Sequence, residues 1–122
     1  MKTNLSITAI LGLLAIIFGA FGAHALKEKI GADALQSFET GVKYQMYHVL
    51  ALLFVNTYSS FNAKAKNMIS WLFFMGILFF SGFIYLITAG GVNPKLIWFI
   101  TPLGGLLFMA GWLVMLMNFI KK

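Results

Sequence analysis

His24, Glu39, Tyr44, Gln45, Tyr47 and His48 are the side chains of this sequence whose types and spacing could do chemistry. Five of them crowd into FETGVKYQMYH, residues 38–48, directly before the apolar run VLALLFV. Imidazole nitrogens are the commonest metal ligands. His24 and His48 could therefore hold a metal or a haem, and the whole cluster could grip a lipid headgroup. The same side chains could instead form hydrogen bonds that tie an amphipathic segment to neighbouring helices. No helix carries a paired His/Glu ligand motif. The docking use is therefore favoured, with no metal and no cofactor expected.

Other chemistries find less to work with. There is no cysteine, which removes disulfides and thiolate ligands. No nucleophile–base motif stands out, and Ser81 in FFSGF reads as a small packing residue, so the protein is not expected to be an enzyme. A proton-coupled antiporter of this size needs a carboxylate inside a span. The three acids, Glu28, Asp33 and Glu39, all fall in the first polar loop.

The elements that must position these residues are set by charge spacing. Hydrophobic residues make up 61% of the 122 and charged ones 10%, against about a quarter charged in soluble domains. Mean hydropathy is +0.90. Uncharged stretches separate Lys2 from Lys27, Lys43 from Lys64, Lys66 from Lys95 and Lys95 from Lys121. Each reaches the roughly 20 residues needed to cross a hydrocarbon core about 30 Å thick. The expectation is an all-α, four-transmembrane-helix bundle filling one integral membrane domain, residues 1–122. Its spans are placed at about 5–26, 44–61, 68–89 and 96–120. The runs are continuous rather than alternating, which disfavours a membrane barrel. The start MKTN, an apolar run and AHA (residues 23–25) imitate a secretory signal. The run from Leu5 to Ala23 is longer than a usual signal core and is read as an uncleaved first span.

Between spans 1 and 2, residues 29–42 place Ile30, Ala34, Leu35, Phe38 and Val42 at helical spacing. Lys29, Asp33, Gln36, Thr40 and Lys43 share the other side. This predicts a short amphipathic helix at the interface, or a helical lead-in to span 2. Span 2 is the least apolar, flanked by polar groups including Asn56, Thr57 and Tyr58, and is placed against the other helices. Trp71, Trp98, Trp112 and Tyr85 suit interfacial or core positions.

Small residues mark where helices approach closely. Gly12, Ala15, Gly19 and Ala23 share a face of span 1, with Gly22 beside them. Gly104 and Gly111, seven apart, share a face of span 4, with Gly105 beside them and Pro102 as a kink, and Ser81 and Gly82 serve span 3. The net charge of +6 lies at span ends, so anionic headgroups rather than nucleic acid are the expected partners. Lys2, Lys64, Lys66, Lys121 and Lys122 against Lys27, Lys29, Lys43 and Lys95 place both termini in the cytoplasm by the positive-inside rule.

Four patterns, GAFGAHAL (19–26), FETGVKYQMYHVLALL (38–53), FFSGFIYL (79–86) and TPLGGLLFMAGW (101–112), run in order through all four spans. Together they resemble domain-of-unknown-function family 423, which takes in YwdK-like and YgdD-like inner-membrane proteins and transmembrane protein 256. The family's motif falls here on Gly19, Gly22, His24, Glu39, Gly41, Tyr44, Gln45, Tyr47, His48, Ser81, Gly82, Pro102, Gly104, Gly105 and Trp112. Phe83, where a small residue is expected, is a departure. The resemblance implies a four-helix membrane protein and brings no reaction with it. With the arginine-free, lysine-rich composition it suggests a bacterial cytoplasmic membrane. A structural or accessory role follows, in membrane integrity or in a larger membrane assembly, with membrane lipids and a second copy or a larger complex as partners. The alternative is a ligand-binding protein using His24 and His48 for a metal, a haem or a lipid headgroup.

Overall fold

The computed structural model describes residues 2–91 and 100–121. All regular structure among them is helical: α1 (Lys2–Leu26), α2 (Gly31–Thr57), α3 (Ala63–Thr88) and α4 (Ile100–Ile120). The helices alternate in direction. Along α1 and α2, Asn4 meets Asn56, Gly12 faces Val49, Gly19 faces Val42 and Gly22 faces Phe38. Along α3 and α4, Phe73 lies on Gly111, Gly76 on Phe108 and Phe80 on Gly104. Three of the four, α1, α3 and α4, are long and apolar enough to cross a membrane.

Of the two readings of the polar segment between the first two expected spans, the helical lead-in is the one observed, not a separate short interfacial helix. The segment forms the opening turns of α2, which runs unbroken for 27 residues, about 40 Å at about 1.5 Å per residue. Nothing in residues 31–57 interrupts it: no proline occurs there, and Ala, Leu, Gln and Glu favour helix. Gly31 opens it at φ +81, a left-handed conformation that glycine adopts without strain. The helix then ends earlier than position 61. Thr57 donates its hydroxyl back to the Leu53 carbonyl at 2.6 Å, and Tyr58 turns extended.

Asn62 caps α3 by accepting the Ala65 N–H at 2.8 Å, so α3 starts at Ala63 rather than Met68. Wide π-helical turns close α1 (Gly22–Leu26) and interrupt α3 (Ile77–Gly82). The expected fourth span began at residue 96; residues 96–99, with Lys95 and Trp98, lie outside the described residues, as does Lys122.

Burial is distributed inside out. Ile10, Leu13, Ile16, Leu106, Met109 and Leu113 are all exposed, as are many more apolar side chains of α1 and α4. The interior instead holds Asn4, Thr8, Gln45, His48, Asn56, Ser70 and Ser81 beside an apolar core that includes Leu52, Ile69, Phe73 and Phe108. A surface this apolar is what hydrocarbon solvates without cost, while polar groups in such a setting must find partners inside the protein.

Glycine contacts sort the predicted packing residues. Gly12, Gly19 and Gly22 seat side chains of α2, and at Gly22 an added Cβ would stand 3.0 Å from the Phe38 ring. At Gly104 it would run into the backbone of Phe79 and Phe80, and at Gly111 into the Phe73 ring. Ser81 is buried. Gly82 touches its surroundings only at ordinary distance, Gly105 meets nothing within 4 Å, and Pro102 is exposed. Those three are not tight packing positions.

Candidate functional site

α2 is the helix to which the other three are tied, through three sets of bonds. The first is an asparagine knot. Asn4 on α1 donates to Asn56 Oδ1 at 3.0 Å and to Asn67 Oδ1 of α3 at 2.9 Å. Asn56 donates in turn to Ser70 Oγ at 2.8 Å and to its own helix at Leu52 O. Thr8 closes the set by donating to the Asn4 carbonyl at 2.7 Å. Each primary amide has donors and an acceptor to spend, and here they span three helices.

The second set is built on Gln45, only 2% exposed. Its Nε2 donates to the Leu11 carbonyl of α1 at 2.7 Å, while its Oε1 accepts the Tyr85 hydroxyl of α3 at 2.7 Å. One turn away, Ser81 Oγ donates to the Gly41 carbonyl at 2.6 Å. The π-helical turn carrying Ser81 faces α2 here. Gly41 admits the approach, because a Cβ would meet Tyr85 and Ile84 at 3.1 and 3.3 Å. Phe18 and Phe38 pack their rings on Tyr85 at 4.9 and 5.0 Å.

The third is built on His48. Its Nδ1 lies 2.7 Å from the Tyr44 carbonyl, and its Nε2 lies 3.0 Å from Trp112 Nε1 of α4. An indole N–H can only donate and a carbonyl can only accept. The ring is therefore the neutral tautomer with its proton on Nδ1. It stacks on Phe108 at 3.7 Å and 10°, with Phe73 edge-on at 4.9 Å. With both nitrogens engaged, neither lone pair nor N–H is left for a ligand in this arrangement.

The six predicted polar residues divide. Gln45 and His48 are buried and bonded, and the Tyr44 backbone serves His48. The rings of Tyr44 and Tyr47 lie 5.6 Å apart and are exposed at 41% and 55%. Tyr44, His48, Phe108 and Trp112 line an open groove of about 540 Å³ between α2 and α4. Glu39 and His24 are exposed. His24 does not join His48: it lies beyond Gly22, which faces Phe38, whereas His48 is level with Gly12, which faces Val49. Twelve residues of α1 separate those levels, about 18 Å at about 1.5 Å per residue. Among the described residues no group of three or more His, Cys, Asp or Glu side chains could hold a metal ion.

Sequence reasoning passed over Asn4, Thr8, Asn67 and Ser70. The signal was there in part: Thr8 and Ser70 are polar residues inside apolar runs, where they need a partner within the protein, whereas Asn4 and Asn67 sit among the polar residues at span ends.

Residues 18–105 match the family described as Protein of unknown function (DUF423). The chain is 39% identical to a UPF0382 membrane protein of Staphylococcus saprophyticus, covering 99% of each. It is 38% identical to UPF0382 membrane protein YwdK of Bacillus subtilis, over 99% of this chain and 98% of the relative. A UPF0382 membrane protein of Haemophilus influenzae is 40% identical over 89% of this chain and 86% of its own. No solved structure matches.

Proposed function

The chain belongs to the DUF423 family and its relatives are named membrane proteins, and from that premise we propose that it is a four-span structural or accessory protein of the bacterial cytoplasmic membrane. The observation that carries this reading is α2. Alone it is too polar to cross; its buried amide and imidazole groups are satisfied by α1, α3 and α4. A helix so bonded crosses as the bundle's hub, with its charged opening turns at one membrane face.

The polar groups are spent on holding helices together, which supports a scaffold rather than a catalyst. Lipids are its partners along α1 and α4. A second copy or a larger assembly would meet it at the exposed face of α2 that carries Gln36, Glu39 and Lys43. Both termini are placed in the cytoplasm, on the side of Lys2, Lys64, Lys66 and Lys121.

Cysteine accessibility tests the four-span arrangement. Thr3→Cys and Lys121→Cys should resist a membrane-impermeant thiol reagent in intact cells, while Asp33→Cys reacts. Protection of Asp33→Cys with labelling of both termini reverses the orientation. Labelling of Thr3→Cys and protection of Lys121→Cys means an odd number of crossings and overturns the reading.

A further inference from the structure

We propose that the lysine-rich end of the protein holds one anionic phospholipid, its phosphate between the start of α3 and the end of α4 and an acyl chain along the groove below. Two adjoining hollows carry this. One, about 250 Å³, is lined by Asn62, Lys64, Asn118 and Lys121 among others. The other, about 560 Å³, is lined by Asn67, Met68, Trp71, Leu72, Met75 and Leu107. Lys64 and Met68 line both, so a polar pocket opens directly into an apolar trough. From Lys64 to Met75 the trough descends eleven residues of α3, about 16 Å at about 1.5 Å per residue.

The donors suit a phosphate. Lys64 and Lys121 bring ammonium groups. Asn62 uses its oxygen to cap α3 and Asn67 uses its oxygen to accept from Asn4, which leaves their amide N–H groups as donors. No carboxylate of the described residues competes: Glu28, Asp33 and Glu39 all lie toward the opposite end, where Gly22 faces Phe38. Trp71, half exposed at 50%, adds the amphipathic ring that favours the depth where headgroup meets chain. Met68 and Met75 are flexible and polarizable, and adapt to an irregular chain. The inference rests on α3 and α4 crossing the membrane as proposed above.

The test uses the detergent-purified protein, with native mass spectrometry reading the adducts formed on adding phosphatidylglycerol or phosphatidylcholine of identical chains. One phosphatidylglycerol should bind at least about tenfold more tightly than phosphatidylcholine. Lys64→Gln with Lys121→Gln should weaken it roughly 25-fold, about fivefold for each lysine near a membrane surface. Lys27→Gln with Lys29→Gln, at the other end, should change nothing. Leu107→Trp fills the trough and should also weaken binding, with helix content by circular dichroism unchanged. Excess inorganic phosphate should fail to displace the lipid. Equal binding of both lipids, or the same loss from the Lys27/Lys29 pair, overturns the proposal. Displacement by inorganic phosphate assigns the polar pocket to a free anion and overturns it too. Loss of the protein from carbonate-washed membranes would instead count against the spanning arrangement, so the two failures are distinguishable.

Discussion

The indole N–H of Trp112 reaches His48 Nε2 across 3.0 Å, so a single bond joins α4 to α2 and fixes the imidazole tautomer. The opposite nitrogen is held by the carbonyl of Tyr44, one turn earlier. Histidine is usually read as a ligand or a proton carrier when it sits at membrane depth. Here its two polar atoms are consumed by structure, and its ring face is consumed by Phe108.

That relationship predicts coupling. Trp112→Phe removes the donor, and His48→Leu removes the acceptor and leaves the indole unpaired. Each should lower the thermal unfolding temperature in detergent. Combined in a double-mutant cycle they should show an interaction of about 0.6 kcal/mol and at most about 1.7 kcal/mol, the range found for hydrogen bonds between membrane helices. Strict additivity would mean that the contact holds nothing.

Gly104 and Gly105 are neighbours with opposite predictions. A Cβ on Gly104 would strike the backbone of Phe79 and Phe80, which cannot swing aside as a side chain can. Gly104→Ala should therefore force α3 and α4 apart, at a cost of about 1–3 kcal/mol, typical of overpacking. Gly105→Ala meets nothing within 4 Å and should be silent or slightly stabilising, since alanine favours helix. Thermal stability of the two variants side by side checks this, and equal effects would refute it.

How far the sequence could be read follows from what each pattern encodes. Helical spacing set Gly12, Ala15, Gly19 and Ala23 on one face of α1 with Gly22 beside it; Gly12, Gly19 and Gly22 do seat Val49, Val42 and Phe38 and Ala15 is buried, whereas Ala23 is exposed. A spacing of seven set Gly104 and Gly111 on one face, and both do meet α3; it still counted Gly105 beside them as a packing position, because which flank of that face meets a neighbour depends on the rotation of α4 against α3. The pairing of His24 with His48 failed for a different reason. It rested on His24 ending span 1 and His48 opening span 2, which would put both near one membrane face. The segment instead forms the opening turns of α2 itself, so His48 lies seventeen residues past Gly31, roughly 26 Å along the helix. Asn4 and Asn67 escaped notice because hydropathy assigns them to a tail and a turn, and only the folded helices bring them to Asn56.

Gln45 should be more costly to lose than either residue it touches. It bridges α1 and α3 through the Leu11 carbonyl and the Tyr85 hydroxyl. Tyr85→Phe deletes one bond and leaves Gln45 Oε1 without its donor, but keeps the Gln45 bond to Leu11 and the ring against Phe18 and Phe38, at a cost of about 1–2 kcal/mol. Gln45→Leu deletes both and leaves the Tyr85 hydroxyl without its acceptor, which adds the penalty of an unmet polar group, about 1–3 kcal/mol. Detergent-induced unfolding followed by tryptophan fluorescence would rank them. Tyr85→Phe proving the more damaging of the two would move the weight of this contact from the hydrogen bonds to the ring.

The asparagine knot predicts a pattern rather than a single number. Asn56 is its centre, accepting from Asn4 and donating to Ser70 and Leu52, while Asn67 is a peripheral acceptor on an exposed residue. Asn56→Leu leaves the buried Asn4 amide short of a partner and removes the link to Ser70. Asn67→Leu leaves Asn4 still bonded to Asn56. The first change should cost about 1–3 kcal/mol and the second clearly less. Asn56→Asp keeps the acceptor for Asn4 but loses the N–H groups that serve Ser70 and Leu52, and places a charge in an apolar interior. It should be at least as damaging as leucine. Thermal unfolding of the three variants in one detergent gives the order. If Asn67→Leu matched Asn56→Leu, the knot would be organised by α3 rather than by α2, and α2 would lose its place as the helix that the others share.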